Sequence, residues 1–407
     1  MKKLQMPEGA LSDLTILELG EMVSVPFCTK LMADMGAEVI KIEAPLKGDA
    51  ARRAGPFPDD IPHQEKSGLF LYLNANKLGI TLDISKNEGQ ELLYRLIAKA
   101  DVIVHSLPPE DVERLRLNYD SLKDMNEGIV VCSITPFGLA GPYRSFKATY
   151  LTVNHISGAA STIGRPEREP ITMPEGWEGY LTGVTAAGAI LCALHARDMD
   201  GKGQDLDMAE ADVMATVLMG ARANMAYLAG EPTPRTGHRM PVMGTNVTMP
   251  CKDGFMALVA NEDDQFQRLI EVMGNPEWGK EEIFRTRPSR AACADALEDL
   301  MLSWLMEHTK EEIFGLCQEG RVPTAPMYTP GEIVNHPHLA ERGFFPEIEH
   351  PVAGKLKYPG APCLFSESPW ALRRAAPTLG EHNREVYCDR LGLSLKDFPG
   401  LRDQGII

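Results

Sequence analysis

No Cys-x-x-Cys pair occurs among the eight cysteines of this chain, Cys28, Cys132, Cys192, Cys251, Cys293, Cys317, Cys363 and Cys388. That argues against a zinc ribbon and gives no sign of a disulfide framework. Cys132 and Cys192 lie in apolar runs without a charged neighbour and read as core thiols. A basic excess is also missing. Lys and Arg number 41 against 57 Asp and Glu, for a net charge of -16 and a pI near 5.2. A nucleic-acid binder needs a basic face, so that class drops out, although a local patch can still hold an anionic cofactor. No apolar stretch approaches about 18 residues, and MKKLQMPEGALSD carries no apolar signal core. No membrane partner is expected, and a reducing cytoplasm is the expected setting. Internal repeats, low-complexity tracts and the G-x-S-x-G elbow are absent. His336 and His338, with His350 nearby, lack a carboxylate or cysteine at metal spacing, so no metal is expected.

What is present is an alternation of short apolar strands and helices. At 407 residues, 44% of them hydrophobic, the chain can bury the cores of two domains. LTILELG (14–20), a helix opened by Pro26, and EVIKIE (38–43) form a β-α-β unit. GITLD (79–83), EGQELLYRLIAKA, DVIVHSL (101–107) and GIVVCSITPFG (128–138) continue the pattern. The expected fold class is α/β, with a Rossmann-like parallel sheet. After the first strand, however, Gly20-Glu21-Met22-Val23-Ser24-Val25 lacks the second and third glycines of the G-x-G-x-x-G fingerprint, which disfavours a nicotinamide dinucleotide. An Ala/Met-rich helix is expected over 209–230. Pro- and Gly-rich breaks at 231–244 and 321–331 divide the chain. Residues 1–230 form the first part of a large domain, 231–244 a linker, 245–325 a smaller α+β domain, and 326–407 a return to the large one. The smaller domain is expected to hold a strand at 253–260 and helices around 264–273 and 290–318.

The segment 179–211, GYLTGVTAAGAILCALHARDMDGKGQDLDMAEA, carries the most specific signal. A small-residue helix is followed by Arg197 and a G-x-G-Q turn, then an alternating strand. It resembles, without a gap, the family III CoA-transferases, the group of formyl-CoA transferase, carnitine CoA-transferase and α-methylacyl-CoA racemase. Their pattern is D-x-x-T-G…R-x-x-x-G-x-G-Q. Thr182, Gly183, Arg197, Gly201, Gly203 and Gln204 fall in place, but Gly179 stands where the catalytic aspartate should be. The stretches around G-A-E-V-I-K-I-E, N-A-N-K, ITPFGLAGPY, MPCKDGFMALVA and APTLGEHNREV extend the resemblance over nearly the whole chain.

The resemblance implies an intertwined dimer and a mechanism in which a carboxylate attacks an acyl-CoA thioester, forms a mixed anhydride and later returns CoA to an acceptor acid. In the racemase branch the same position transfers a proton beside a carbonyl. Glycine can do neither. Glu178 is the adjacent substitute, although neighbours on a helix point about 100° apart and a first-turn acid also suits the helix dipole. By resemblance, CoA contacts fall to Asn74, Asn76 and Lys77 of the N-x-N-K loop, to Ser106 and Leu107, and to Arg114 at the phosphates. Departures cluster around the same place. Ser24-Val25-Pro26 replaces A-G-P, His105 to Glu110 replaces E-N-F-x-P-G, and Leu151 and His155 replace an acid and a glutamine. Three readings follow. The first is the non-catalytic chain of a heteromeric, succinyl-CoA-dependent transferase of the benzylsuccinate type, partnered by a homologous aspartate-bearing subunit and acting on small carboxylic acids. The second is a homodimeric CoA-transferase or acyl-CoA isomerase using Glu178 or another residue. The third is a non-enzymatic acyl-CoA-binding protein.

Overall fold

Strands buried on both faces read as continuous apolar runs, and here such runs build one parallel sheet. In the computed structural model, which describes residues 9–219, 226–228, 230, 235–240 and 244–407, six strands lie in the order β3-β2-β1-β4-β5-β6. They are β1 (Thr15–Leu19), β2 (Glu38–Glu43), β3 (Leu78–Thr81), β4 (Val102–His105), β5 (Val130–Thr135) and β6 (Gln204–Ala209), and all pairings are parallel. The order reverses between β1 and β4, where Leu19 lies opposite His105. That is the switch point at whose carboxyl edge ligands settle in doubly wound sheets.

Helices cover both faces. One core gathers Leu17, Ile80, Ile103 and Val131 with α3 (Asn87–Ile97) and the carboxyl-terminal Val386 and Tyr387. The other gathers Ile16, Val104 and Cys132 with α1 (Ser24–Asp34) and α7 (Trp177–Asp200). By length and composition α7 could cross a membrane. Its buried face, Ala186, Ile190, Ala193 and Leu194, instead packs in that second core.

The G-x-G-Q turn has two separate causes. Gly201 closes α7 at φ +79°, a left-handed cap that favours glycine. Gly203 passes so close to the next strand that a Cβ would lie 1.8 Å from the Ile129 carbonyl oxygen. Cys192 corrects the sequence reading, because it sits on the exposed face of α7 rather than in the core.

The chain divides into two units. The larger holds 1–159, 172–224 and 340–407; the smaller holds 160–171 and 225–339. In the smaller unit β7 (Thr245–Cys251), β8 (Gly254–Ala260) and β9 (Thr324–Pro326) form an antiparallel sheet. Phe266, Leu297, Met301 and Ile313 pack against it. The Pro-rich stretch 321–331 therefore contributes an edge strand, where a proline is tolerated because it need not donate to the ladder. The run 290–318 is three helices, ending or restarting at Cys293 and Thr309. Residues 220–225 and 229 of the expected 209–230 helix, and 231–234 and 241–243 of the linker, lie outside the described residues; α8 (Glu210–Met214) is the described start of that helix.

Candidate functional site

The loop leaving β1 organises the carboxyl edge of the sheet. Its residues Glu21 to Ser24 line a cavity of about 750 Å³ together with Glu175, Glu178 to Tyr180, Ser106 and Glu210. On the other side, Glu21 and Ser106 also line a second cavity of about 430 Å³, with Leu107, Asp83, Asp111 and Arg114. The two cavities thus share walls at the switch point, and all their lining residues belong to the larger unit.

A buried charge cluster fixes this loop. Glu18 accepts from Lys41 Nζ at 2.6 Å and from Lys77 Nζ at 2.7 Å, and also from the Thr29 hydroxyl. Lys41 pairs with Asp49 at 2.8 Å and donates to the Gly20 carbonyl at 3.1 Å. Asp49 Oδ1 accepts from the Met22 amide at 2.9 Å, while Lys77 donates to the Pro26 carbonyl at 2.8 Å. Burial alone would raise the Glu18 pKa, but Lys41 and Lys77 overcome it and hold the carboxyl at about 2. The clamp grips the backbone at 20, 22 and 26 and leaves Met22 at φ +62°.

This cluster takes in residues of the expected cofactor loop. Asn74 and Lys77 are fully buried, and Lys77 donates to Asn74 Oδ1 at 3.0 Å. Asn76 bridges Asp34 and the backbone of Ala371, Arg373 and Arg374. None of the three side chains faces either cavity. Ser106, Leu107 and Arg114 do line the second one, and the Arg114 guanidinium rests on Asp111 at 2.8 Å. His105 is buried beside them. Burial lowers its pKa to about 4, so it is neutral, with Nδ1 accepting from the Leu107 amide and Nε2 against the Ser133 hydroxyl.

Gly179 faces the first cavity, but it also receives α1. A Cβ built there would lie 2.7 Å from Val23 Cβ and 2.8 Å from Val23 Cγ1. One turn later a Cβ on Gly183 would lie 2.8 Å from the Ser24 carbonyl oxygen. The two glycines form a groove for the start of α1, a close approach that only a missing side chain permits. Glu178 lines the same cavity. It is 6% exposed and accepts from Asn154 Nδ2 at 3.2 Å. Burial raises its pKa, and the nearby Glu210 adds to the effect. Glu210, at the end of β6, accepts from the Ser24 hydroxyl and is also raised by burial. Sequence reasoning missed Val23, Glu175 and Glu210; the only signal for Glu210 was its place just past a strand's carboxyl end. Leu151 and His155 lie exposed on α6 (Tyr150–Ile156), where the His155 ring meets the Leu151 carbonyl. Among the described residues no three His, Cys, Asp or Glu side chains converge as metal ligands.

Comparison with known proteins places this geometry. The succinyl-CoA–D-citramalate CoA-transferase of Chloroflexus aurantiacus is 32% identical over 407 residues, covering 99% of each chain. The succinyl-CoA–L-malate CoA-transferase alpha subunit of Chloroflexus aurantiacus is 28% identical over 402 residues, 98% of this chain and 92% of the other. A CAIB/BAIF family protein from Brucella suis has the same fold, with a TM-score of 0.85 at 29% identity over 94% of this chain and 99% of that one. The family model for CoA-transferase family III matches residues 11–383. With its sheet, its G-x-G-Q turn and its switch-point cavities in place, this chain belongs to CoA-transferase family III.

Proposed function

We propose that this chain is the nucleophile-free subunit of a heteromeric, succinyl-CoA-dependent CoA-transferase, threaded together with a homologous aspartate-bearing subunit. One observation carries the reading. The position of the attacking carboxylate is a glycine whose missing side chain is filled by Val23, so the site is closed to a nucleophile rather than merely short of one. The relatives support the rest. Their names specify succinyl-CoA as a donor, and one of them is an alpha subunit. In the sister chain an aspartate attacks the thioester carbonyl and CoA thiolate leaves; the thiolate then attacks the aspartyl carbonyl of the mixed anhydride, which releases succinate and leaves an aspartyl-CoA thioester, and the acceptor carboxylate displaces that thiolate to form a second anhydride from which CoA takes the acceptor's acyl group. This chain contributes walls and interface. Ser106, Leu107 and Arg114 are the side chains it offers to a CoA moiety.

Glu178 favours a second reading, because its carboxyl faces the cavity and its raised pKa suits acid–base work. One experiment separates the two. The chain, alone and co-expressed with an aspartate-bearing sister encoded beside it, is incubated with succinyl-CoA, trapped with hydroxylamine and weighed intact. The expected outcome is modification of the sister only. A stoichiometric adduct on Glu178 would refute the nucleophile-free reading.

A further inference from the structure

The cavity beside Gly179 has an unusual charge balance. Glu21, Glu175, Glu178 and Glu210 line it, and no Lys, Arg or His does, among the described residues. None of the four pairs with a cation within 4 Å among the described residues, although the clusters elsewhere in this chain do, as Glu18 and Glu43 show. Glu178 and Glu210 have only neutral donors, Asn154 and Ser24. A carboxylate withdrawn from water without a counter-charge is costly to keep ionised. Burial raises the pKa of Glu178 and Glu210, which have no cation nearby to offset it, and also that of Glu21, where Lys41 and Arg53 counter part of the effect.

Exposed apolar side chains sit on the helices that wall the well, interspersed with the exposed Thr152 and His155. Tyr150, Leu151 and Ile156 on α6 and Trp177 at the start of α7 are 36 to 49% exposed. Exposed apolar side chains beside a charged pocket are the arrangement that anchors a long basic side chain at a protein interface. The surrounding contacts exclude water and strengthen the ion pair.

We propose that this cavity receives a lysine or arginine side chain of the aspartate-bearing partner subunit, seated among Glu175, Glu178 and Glu210. The inference rests on the heteromeric reading above. The charge complementarity calls for a cation, and the exposed apolar side chains call for a protein to cover them, which a small ammonium ion would not do. The silent site then serves as a docking socket, and its carboxylates hold the assembly together instead of attacking a thioester.

The test uses the full chain, alone and co-expressed with the partner. Glu178→Gln/Glu210→Gln removes the socket's buried charge at nearly constant shape. The lone variant should melt higher than wild type at pH 7.5. The complex should dissociate at least tenfold more readily by native mass spectrometry and lose most of its salt sensitivity. Glu113→Gln/Glu167→Gln, on the open surface, should do neither. Opposite signs for the lone chain and the complex support the socket. Equal weakening of both would mean a structural role and overturn it, as would an unchanged dissociation constant. Stabilisation of the lone chain by tetramethylammonium chloride over sodium chloride at equal ionic strength, with the complex indifferent to the variant, would assign the well to a small cation instead. If wild-type chains form no complex at all, the heteromeric reading itself fails; a complex that forms but ignores the glutamines rejects the socket alone.

Discussion

Placing a side chain at 179 should be opposed by Val23, and the opposition has a sign that can be measured. Gly179→Ala adds only a Cβ, which would stand 2.7 Å from Val23 Cβ, 2.8 Å from Cγ1 and 3.3 Å from the Ser24 amide nitrogen. Ordinary Cβ contacts fall at 3.4–4 Å, so something must yield by more than half an ångström. The loop cannot easily do so, because Lys41 holds the Gly20 carbonyl and Asp49 holds the Met22 amide. Overpacking of this kind costs about 1–3 kcal/mol. Alanine in a helix interior gains about 1 kcal/mol over glycine. The net expectation in the wild-type background is a loss of up to about 2 kcal/mol.

Val23→Gly removes both opposing atoms and forfeits about 2 kcal/mol of its own through lost burial. In that background Gly179→Ala should be stabilising by up to about 1 kcal/mol, because the helix term is then opposed only by the 3.3 Å contact with the Ser24 amide nitrogen. Calorimetric melts of the four proteins form a double-mutant cycle, with a coupling of about 1–3 kcal/mol expected. If Gly179→Ala has the same effect in both backgrounds, Val23 does not block the site. The same geometry predicts that Gly179→Asp alone restores no hydroxylamine-trappable intermediate to the isolated chain.

Other outcomes follow from neighbouring groups. Lys77→Met should lose about 3–5 kcal/mol by leaving buried Glu18 short of a partner, visible as loss of soluble protein, whereas Arg114→Ala, an exposed pair, should change the melting temperature little. Gly203→Ala should prevent folding, at a cost of at least about 4 kcal/mol, because its Cβ meets a carbonyl oxygen. Gly201→Ala has open space and only its positive φ to overcome, about 1–2 kcal/mol, so purified yields should separate the two. The Glu210 carboxyl has a raised pKa when folded, so the folded chain binds more protons than the unfolded one above the ordinary value of 4.5. Its penalty therefore appears as pH rises through the folded value. Glu210→Gln should raise the melting temperature at pH 7.5 and have a smaller effect near pH 4.5.

The sheet was legible because each strand's signal is local. EVIKIE is β2 residue for residue, and the apolar runs at 14–20, 101–107 and 128–138 contain β1, β4 and β5. The G-x-G-Q turn was legible for the same reason, since a cap and a close approach each demand glycine at one position. The buried pairing of the N-x-N-K loop was not legible, because it is not local. Lys77 finds Glu18 across 59 residues, and Glu18 finds Lys41 across 23. A lysine in a loop reads as a free cation until its partner is known. Cys192 misled because a small-residue helix shows no clear polar face from which its exposed side could be told.

Gly179 marks the boundary between what can and cannot be read. A missing carboxylate is visible in one letter, and it excludes the residue as a nucleophile. Whether the vacancy is open depends on Val23, which is 156 positions away along the chain. Val23 is held there by Asp49 and Lys41, themselves buried and paired. The charge cluster that fixes the β1 loop therefore links the fold to the chemistry. With glycine at the loop's tip in place of Val23, the same clamp would leave room for an aspartate on α7; with valine there, it packs the loop into the space the aspartate would need. The cluster cannot be lost without losing the sheet edge, but the side chain at the tip can change while the clamp remains. A chain of this kind can keep its architecture, its cavities and its acidic walls while giving up the reacting group. That makes the acidic well beside Gly179, rather than Gly179 itself, the place where its remaining role should be sought.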